Sequence, residues 1–261
     1  MSVHSFTVYD VFKMNATRYA TAIAIKEKNR TLTFQDLLEQ VEALQRGLLN
    51  QGIRKGDRIA ILSMNHLEYL VLNGAAAAMG AILVPVNWRL SLDEIAYILA
   101  DSGAQLLFYD DACEKQINDL INARQFNGTP VSISTPHDDR LSYSDLICLT
   151  EVPDLTPQPS PDSQSIFCLI YTAAVDGYPR GAALSHENII MSNLQTALTM
   201  GLTREDVYLN MVPLFHITGI NLALSTLHMG GKNVIMEKFD APVAIAMIRR
   251  GGVTLLASFP P

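Results

Sequence analysis

The chain has 261 residues, of which 49% are hydrophobic, and a formal charge of -7 at neutral pH. This is enough apolar material for one large α/β domain or two modest ones, and without a dense Lys/Arg block it excludes nucleic acid and an anionic membrane surface as electrostatic partners. Cys113, Cys148 and Cys168 are widely spaced and form no CxxC or Cys/His cluster, which excludes a structural zinc site and reads as reduced core thiols. In chain order, the start "MSVHSFTVYDVF" lacks a basic region followed by an apolar run, so no secretory leader is expected there. "RTLTFQDLLEQVEALQRGLLNQG" then predicts a helix, opened by a capping box between Thr33 and Asp36 and stopped at Gly52. Leu37, Val41, Leu44 and Leu48 recur along it at helical spacing.

Arg58 to Leu62 reads as a strand, and Asn65 with Glu68 as a second capping box opening a helix that ends near Gly80. "AILVPV" follows as a short buried strand, so the unit is β-α-β. The most apolar stretch, "LVLNGAAAAMGAILVPV", is broken by Asn73, Gly74, Gly80 and Pro85, so no membrane span is expected and the chain is placed in the cytoplasm. Ser91 and Glu94 cap the next helix, before the strand "AQLLFYD".

"TEVPDLTPQPSPDSQ", residues 150–164, carries four prolines and almost nothing to bury, the composition of an extended linker. The expected division is therefore 1–149 as a first α/β subdomain, 150–164 as a linker and 165–261 as a second subdomain. Alternation resumes there with the strand "SIFCLIYT", a loop, a helix from Ser185, the strand "VYLNMV", a helix after Phe215, the strand "NVIM", the helix "PVAIAMIRR" and the strand "VTLLASF". The fold class expected is α/β, two adjoining units with largely parallel sheets covered by helices. A buried-type strand followed directly by Pro260 and Pro261 suggests that the natural protein continues. It would leave an open sheet edge and an apolar face, from which a homo-oligomer is expected.

The stretch "YTAAVDGYPRGAALSHENI" joins an apolar strand to a helix start through a glycine-punctuated loop with one basic residue, the layout of a phosphate cradle. It matches neither GxxxxGK[ST] nor GxGxxG, so taken bare it is an ordinary β-α turn. It resembles, however, the phosphate loop of the adenylate-forming superfamily, the acyl-CoA and aryl-CoA synthetases and their relatives, whose pattern is YTSGTTGxPKGVxLSHxN. Tyr171, Thr172, Gly177, Pro179, Gly181, Leu184, Ser185, His186 and Asn188 match that pattern, and Arg180 stands in place of its lysine. "PLFHITGI", from Pro213 to Ile220, is similar to the family's PLFHxxG segment, and two longer stretches before residue 111 look like its amino-terminal region.

The resemblance implies part of the large amino-terminal domain of an AMP-forming acid–thiol ligase. A small carboxylic or fatty acid would attack the α-phosphate of ATP, and coenzyme A would then displace AMP, with Mg2+ bridging the phosphates. Nucleotide contacts would come from Thr172, Ala173, Ala174, Val175, Asp176, Gly177, Arg180 and Gly181. The acid would lie against Phe215, His216 and Gly219, with His216 as the catalytic candidate. No metal ligand is assigned, since the family's magnesium, ribose and carboxy-terminal lysine segments would lie past Pro261. His186 is read as structural, and His228 has no context that supports a functional role.

The loop also departs from the family. Its serine and two threonines become Ala173, Val175 and Asp176, and an interior glycine becomes Ala174. A carboxylate ~4 Å from a phosphate oxygen costs about 4 kcal/mol at an effective dielectric near 20. The expectation is a chain that is inactive alone and binds ATP weakly. The alternatives are a non-catalytic scaffold remnant of the same family and, less specifically, a flavodoxin-like nucleotide binder.

Overall fold

The computed structural model describes residues 6–134, 140–148, 160–172 and 177–258. Helix α1 (Val8–Tyr19) leads into the antiparallel pair β1 (Ile23–Glu27) and β2 (Arg30–Thr33), then α2 (Phe34–Asn50), which Thr33 and Asp36 cap as predicted. β3 (Arg58–Leu62), α3 (Leu67–Met79), β4 (Ile82–Pro85), α4 (Leu92–Ser102), β5 (Leu106–Tyr109), α5 (Glu114–Asn122), β6 (Thr129–Ser132), β7 (Leu141–Ser142) and α6 (Tyr143–Ile147) complete the first part. After them come β8 (Ile166–Thr172), β9 (Arg180–Ser185), α7 (His186–Met200), β10 (Val207–Asn210), α8 (Ile217–His228), β11 (Lys232–Ile235), α9 (Ala241–Arg249) and β12 (Leu255–Leu256).

These strands form two sheets. One runs β7-β6-β5-β3-β4-β8-β9, parallel except for the antiparallel β8–β9 hairpin at its edge; the other runs β12-β10-β11-β1-β2, parallel except for β2. The sheets are not divided where the sequence is, because β1 and β2 join the sheet of β10 to β12, and β8 and β9 join the sheet of β3 to β7. Residues 150–164 thus separate two stretches of sequence but not two sheets.

Strand alternation places the helices. Ile59 and Ile61 of β3 face a core shared with α1, α2, α3, Ile25 of β1 and Tyr208 of β10, while Ala60 and Leu62 face a second cluster under α4 and α5. Leu209 points the other way from Tyr208, toward Ala244 of α9. The inner layer is crowded, so α3 is buried almost all round and its Gly74 lies against Val41 of α2, where an added Cβ would come within 2.4 Å of that side chain.

Four local expectations change. Asn65 does not cap α3: His66 occupies the cap position without a side-chain cap bond, and the Asn65 amide bonds across to the other sheet. The stretch after the phosphate-loop residues is the strand β9, so Ser185 caps α7 only after six residues of hairpin. "VTLLASF" holds just the two-residue strand β12 at a sheet edge. Cys113 and Cys168 are buried but Cys148 is exposed, because it lies at the end of α6 rather than within a packed element.

A candidate active-site pocket between the two sheets

β8 and β9 pair from Ile166 with Ser185 to Thr172 with Arg180. Of the residues predicted to touch phosphate, Thr172 therefore ends β8 and Arg180 and Gly181 open β9 at the sheet edge, and the N-terminus of α7 lies at the opposite end of this strand pair. A helix dipole acts within its first turn, so α7 contributes nothing to an anion held at the turn. Ala173, Ala174, Val175 and Asp176 lie outside the described residues.

Thr172, Gly177, Arg180 and Gly181 are exposed around that turn. Gly177 adopts φ 86° in open space, so glycine serves its backbone conformation there. At Gly181 an added Cβ would come 3.0 Å from the Tyr171 ring, which lies over it and donates its hydroxyl to Asp101 at 2.6 Å. Tyr178 stacks on Tyr97 of α4 with centroids 4.5 Å apart, fastening the turn to the helix layer. Among the described residues no carboxylate pairs with the exposed Arg180 guanidinium.

The opposite wall comes from the other sheet. Beyond β10 the chain turns through Pro213 and Leu214 to Phe215 and His216, the cap of α8. The His216 Nδ1 accepts from the Thr218 N–H at 3.2 Å, and the His216 backbone N–H donates to the Pro213 carbonyl at 3.1 Å. An imidazole that accepts at Nδ1 carries its proton on Nε2 in the neutral form. Phe215 meets Trp88 edge to face at 6.3 Å, and the Arg89 guanidinium lies 4.6 Å over the Trp88 ring.

Between the walls is a pocket of about 320 Å³, lined by Asn87, Ile170, Tyr171 and Thr172 on one side and by Phe215 and His216 on the other. The structure thus brings Thr172, Phe215 and His216 to one cavity. It places Gly219 elsewhere: this glycine is buried beneath the 212–214 turn, where an added Cβ would come 2.2 Å from the Pro213 carbonyl oxygen. Its smallness lets α8 approach the turn, so it shapes the pocket without lining it.

For a magnesium ion, Glu94 is the one carboxylate among the described lining residues, and both Ser91 N–H and Ser91 Oγ already donate to it. The described residues do not fit a metal site in this pocket. His186 is buried with Nδ1 accepting from Val8 N–H, and burial lowers its pKa to about 4; His228 stacks on Phe6. Both are structural.

The periodicity of the sequence missed a charged cluster beside the site. His66 bridges Glu27 of β1 and Asp110 after β5, with ring nitrogens 3.0 and 3.1 Å from their oxygens, and Arg30 pairs with both Glu27 and Glu68. It lines an open crevice at the carboxyl ends of β3 and β5, from which the chain leaves in opposite directions, to β4 and to β6. Its partners are far apart in sequence, so spacing gave no signal.

The model of the family described as "AMP-binding enzyme" matches residues 12–261. The chain belongs to that family. It is 31% identical over 241 residues to a feruloyl-CoA synthase of Amycolatopsis sp, covering 92% of this chain and 46% of the relative. It is 28% identical over 251 residues to a 2-succinylbenzoate–CoA ligase of Geobacillus kaustophilus, covering 96% and 48%. The chain therefore spans about half the length of these curated relatives. Among solved structures, a Rhodopseudomonas palustris CGA009 chain provisionally named a long-chain-fatty-acid CoA ligase matches with TM-score 0.88 and 36% identity, over 100% of this chain and 65% of that one. The O-succinylbenzoate coenzyme A synthetase of Bacillus subtilis, solved with ATP and magnesium ion, matches in fold with TM-score 0.77 at 24% identity, over 94% and 62%. These relatives are CoA ligases, and among the described residues of this chain no helix is long and apolar enough to cross a membrane.

Proposed function

We propose that this chain is the amino-terminal half of an ATP-dependent, AMP-forming carboxylate–CoA ligase. The observation that carries the reading is the pocket in which Phe215 and His216 face Thr172 at the end of the β8–β9 hairpin. An acid lying along Phe215 and Ile170 would have its carboxylate beside His216 and its attacking oxygen turned toward phosphates at the hairpin turn. Attack on the α-phosphorus would break the bond to pyrophosphate. A thiol, coenzyme A, would then attack the acyl carbon and release AMP. His216 Nε2–H is suited to hold the carboxylate, and Arg180 to neutralise the departing pyrophosphate. The substrate class is an aryl or aliphatic carboxylic acid, in a cytoplasmic setting. This reading expects thioester formation only when the chain is joined to the half that its relatives carry.

A second reading, a non-catalytic scaffold of the same family, is favoured by Ala173, Ala174, Val175 and Asp176 at the positions of the family's phosphate donors. The two readings separate on pyrophosphate–ATP exchange. The ligase reading expects exchange dependent on an added carboxylic acid when the chain is joined to the half that its relatives carry. Asp176→Thr, which removes a negative charge from the loop, should tighten ATP more than Val175→Thr, which restores a donor worth about 1 kcal/mol. No exchange with any acid, together with no gain from Asp176→Thr, leaves the scaffold.

A further inference from the structure

The pocket wall carrying Phe215 and His216 belongs to one sheet, and the wall carrying Asn87, Tyr171 and Thr172 to the other. Its shape therefore depends on what registers the two sheets beside it. Asn65, which follows β3 in the seven-stranded sheet and is 4% exposed, sends its whole side chain across that junction. Its Oδ1 accepts from the Leu214 N–H at 2.8 Å, and its Nδ2 donates to the Val212 carbonyl at 3.1 Å and to the Met236 carbonyl at 3.2 Å. Its backbone N–H donates to the Glu237 carbonyl at 3.0 Å. Val212 and Leu214 flank Pro213, whose carbonyl takes the His216 N–H, so the two residues that Asn65 grips stand immediately before the site residues. Met236 and Glu237 directly follow β11, so one carboxamide ties the exits of two strands of the five-stranded sheet to the exit of β3.

We propose that Asn65 is a positioning residue for the substrate wall: its carboxamide clamps the 212–214 turn and thereby sets where Phe215 and His216 stand relative to Thr172. The assignment of that wall to substrate rests on the ligase reading above, but the clamp itself is a property of the fold. The chemistry is specific to an amide. Aspartate keeps the acceptor for Leu214 but turns a carboxylate oxygen toward two carbonyls, and alanine leaves the Leu214 N–H and two carbonyls without their buried partner.

Trp88, the single tryptophan of the chain, reads the clamp directly. It lies on the Asn87 side of the junction and contacts Phe215 on the other, so its near-ultraviolet circular dichroism reports the distance between the walls. The expected result for this chain, with no ligand added, is loss of most of the Trp88 band in both Asn65→Ala and Asn65→Asp, with the far-ultraviolet spectrum retained. Asn73→Ala removes an equally buried amide whose Nδ2 donates within α3, to the Tyr69 carbonyl, and should leave the band intact. A full Trp88 band in either Asn65 variant, or an equal loss in Asn73→Ala, overturns the proposal. Should neither Asn65 variant fold, hydrogen exchange on the wild-type chain decides: a Leu214 amide as protected as those of β3 supports the clamp, and one exchanging at the rate of exposed turns overturns it. Because no readout involves ATP or an acid, a lost Trp88 band without ligase activity removes the ligase reading alone.

Discussion

His66 stands with Nδ1 3.0 Å from Glu27 Oε1 and Nε2 3.1 Å from Asp110 Oδ2. Burial pushes its pKa down, yet the hydrogen bonds and charges of the two carboxylates outweigh burial and hold it at about 9. Burial likewise raises Glu27 and Asp110, and their bonds to His66 bring both below the usual carboxylate range. The folded pKa of His66 exceeds the unfolded value of about 6.5, so its stabilisation is fully present below about pH 6.5 and is lost as pH rises through about 9. The carboxylates add a mirror-image contribution, present above their unfolded values and lost as pH falls through their lowered folded ones. Urea unfolding at pH 6 and pH 10 should therefore show the wild type losing on the order of 1–3 kcal/mol more than His66→Gln. Parallel losses would mean that the bridge carries no net stability. His186 shows the opposite balance, since burial dominates there and it stays neutral. The place of His216 at the start of a helix was legible from the segment in which it sits. His66 was not, because its partners lie 39 and 44 positions away.

At the scale of elements, the capping boxes at Thr33 and Ser91 were legible because a cap needs only residues three apart. β9 was hidden for the converse reason. Its sequence RGAALS shows no apolar alternation, four of its six residues are exposed, and it is a strand because β8 offers it a partner. The consequence is spatial, since the strand pair puts the start of α7 at the end opposite Thr172 and Arg180. α8 is fixed to the 212–214 turn by a backbone contact rather than by an apolar stripe. Gly219→Ala should cost roughly 1–3 kcal/mol, because its Cβ would meet the Pro213 carbonyl oxygen at 2.2 Å and neither backbone segment is free to yield. Denaturant melts compared with Gly177→Ala separate packing from conformation: the latter meets open space and loses only the freedom of a positive φ, about 1 kcal/mol. Equal, small losses would show that the α8 contact relaxes.

On the scale of the whole molecule, each sheet takes strands from both sides of residues 150–164, so neither part of the sequence can complete a sheet without the other. On the outside of the five-stranded sheet, Phe239, Val243, Ile245, Ile248 and Leu256 are exposed around α9 and the edge strand β12. Such a surface promotes association unless something covers it. Light scattering of this chain at tens of micromolar should give a mass above the monomer's 28.7 kDa, falling toward it in Val243→Lys/Ile248→Lys. A clean wild-type monomer that binds no hydrophobic dye would remove the expectation.

The sequence by itself determined the α/β class, the caps that start α2 and α4, and the family to which the chain belongs. Each of these depends on residue type at short, fixed spacing, which the chain records directly. Tertiary structure alone decided that β8 returns as β9, that the sheets interlock across the proline-rich stretch, that Gly219 supports the pocket rather than lining it, and that Asn65 leaves its helix cap to hold the opposite wall. The physical reason is the same in each case. A buried donor, acceptor or sheet edge takes whichever partner the fold brings within reach, and those partners, such as Leu214 for Asn65 at a separation of 149 residues, are chosen by packing and not by spacing.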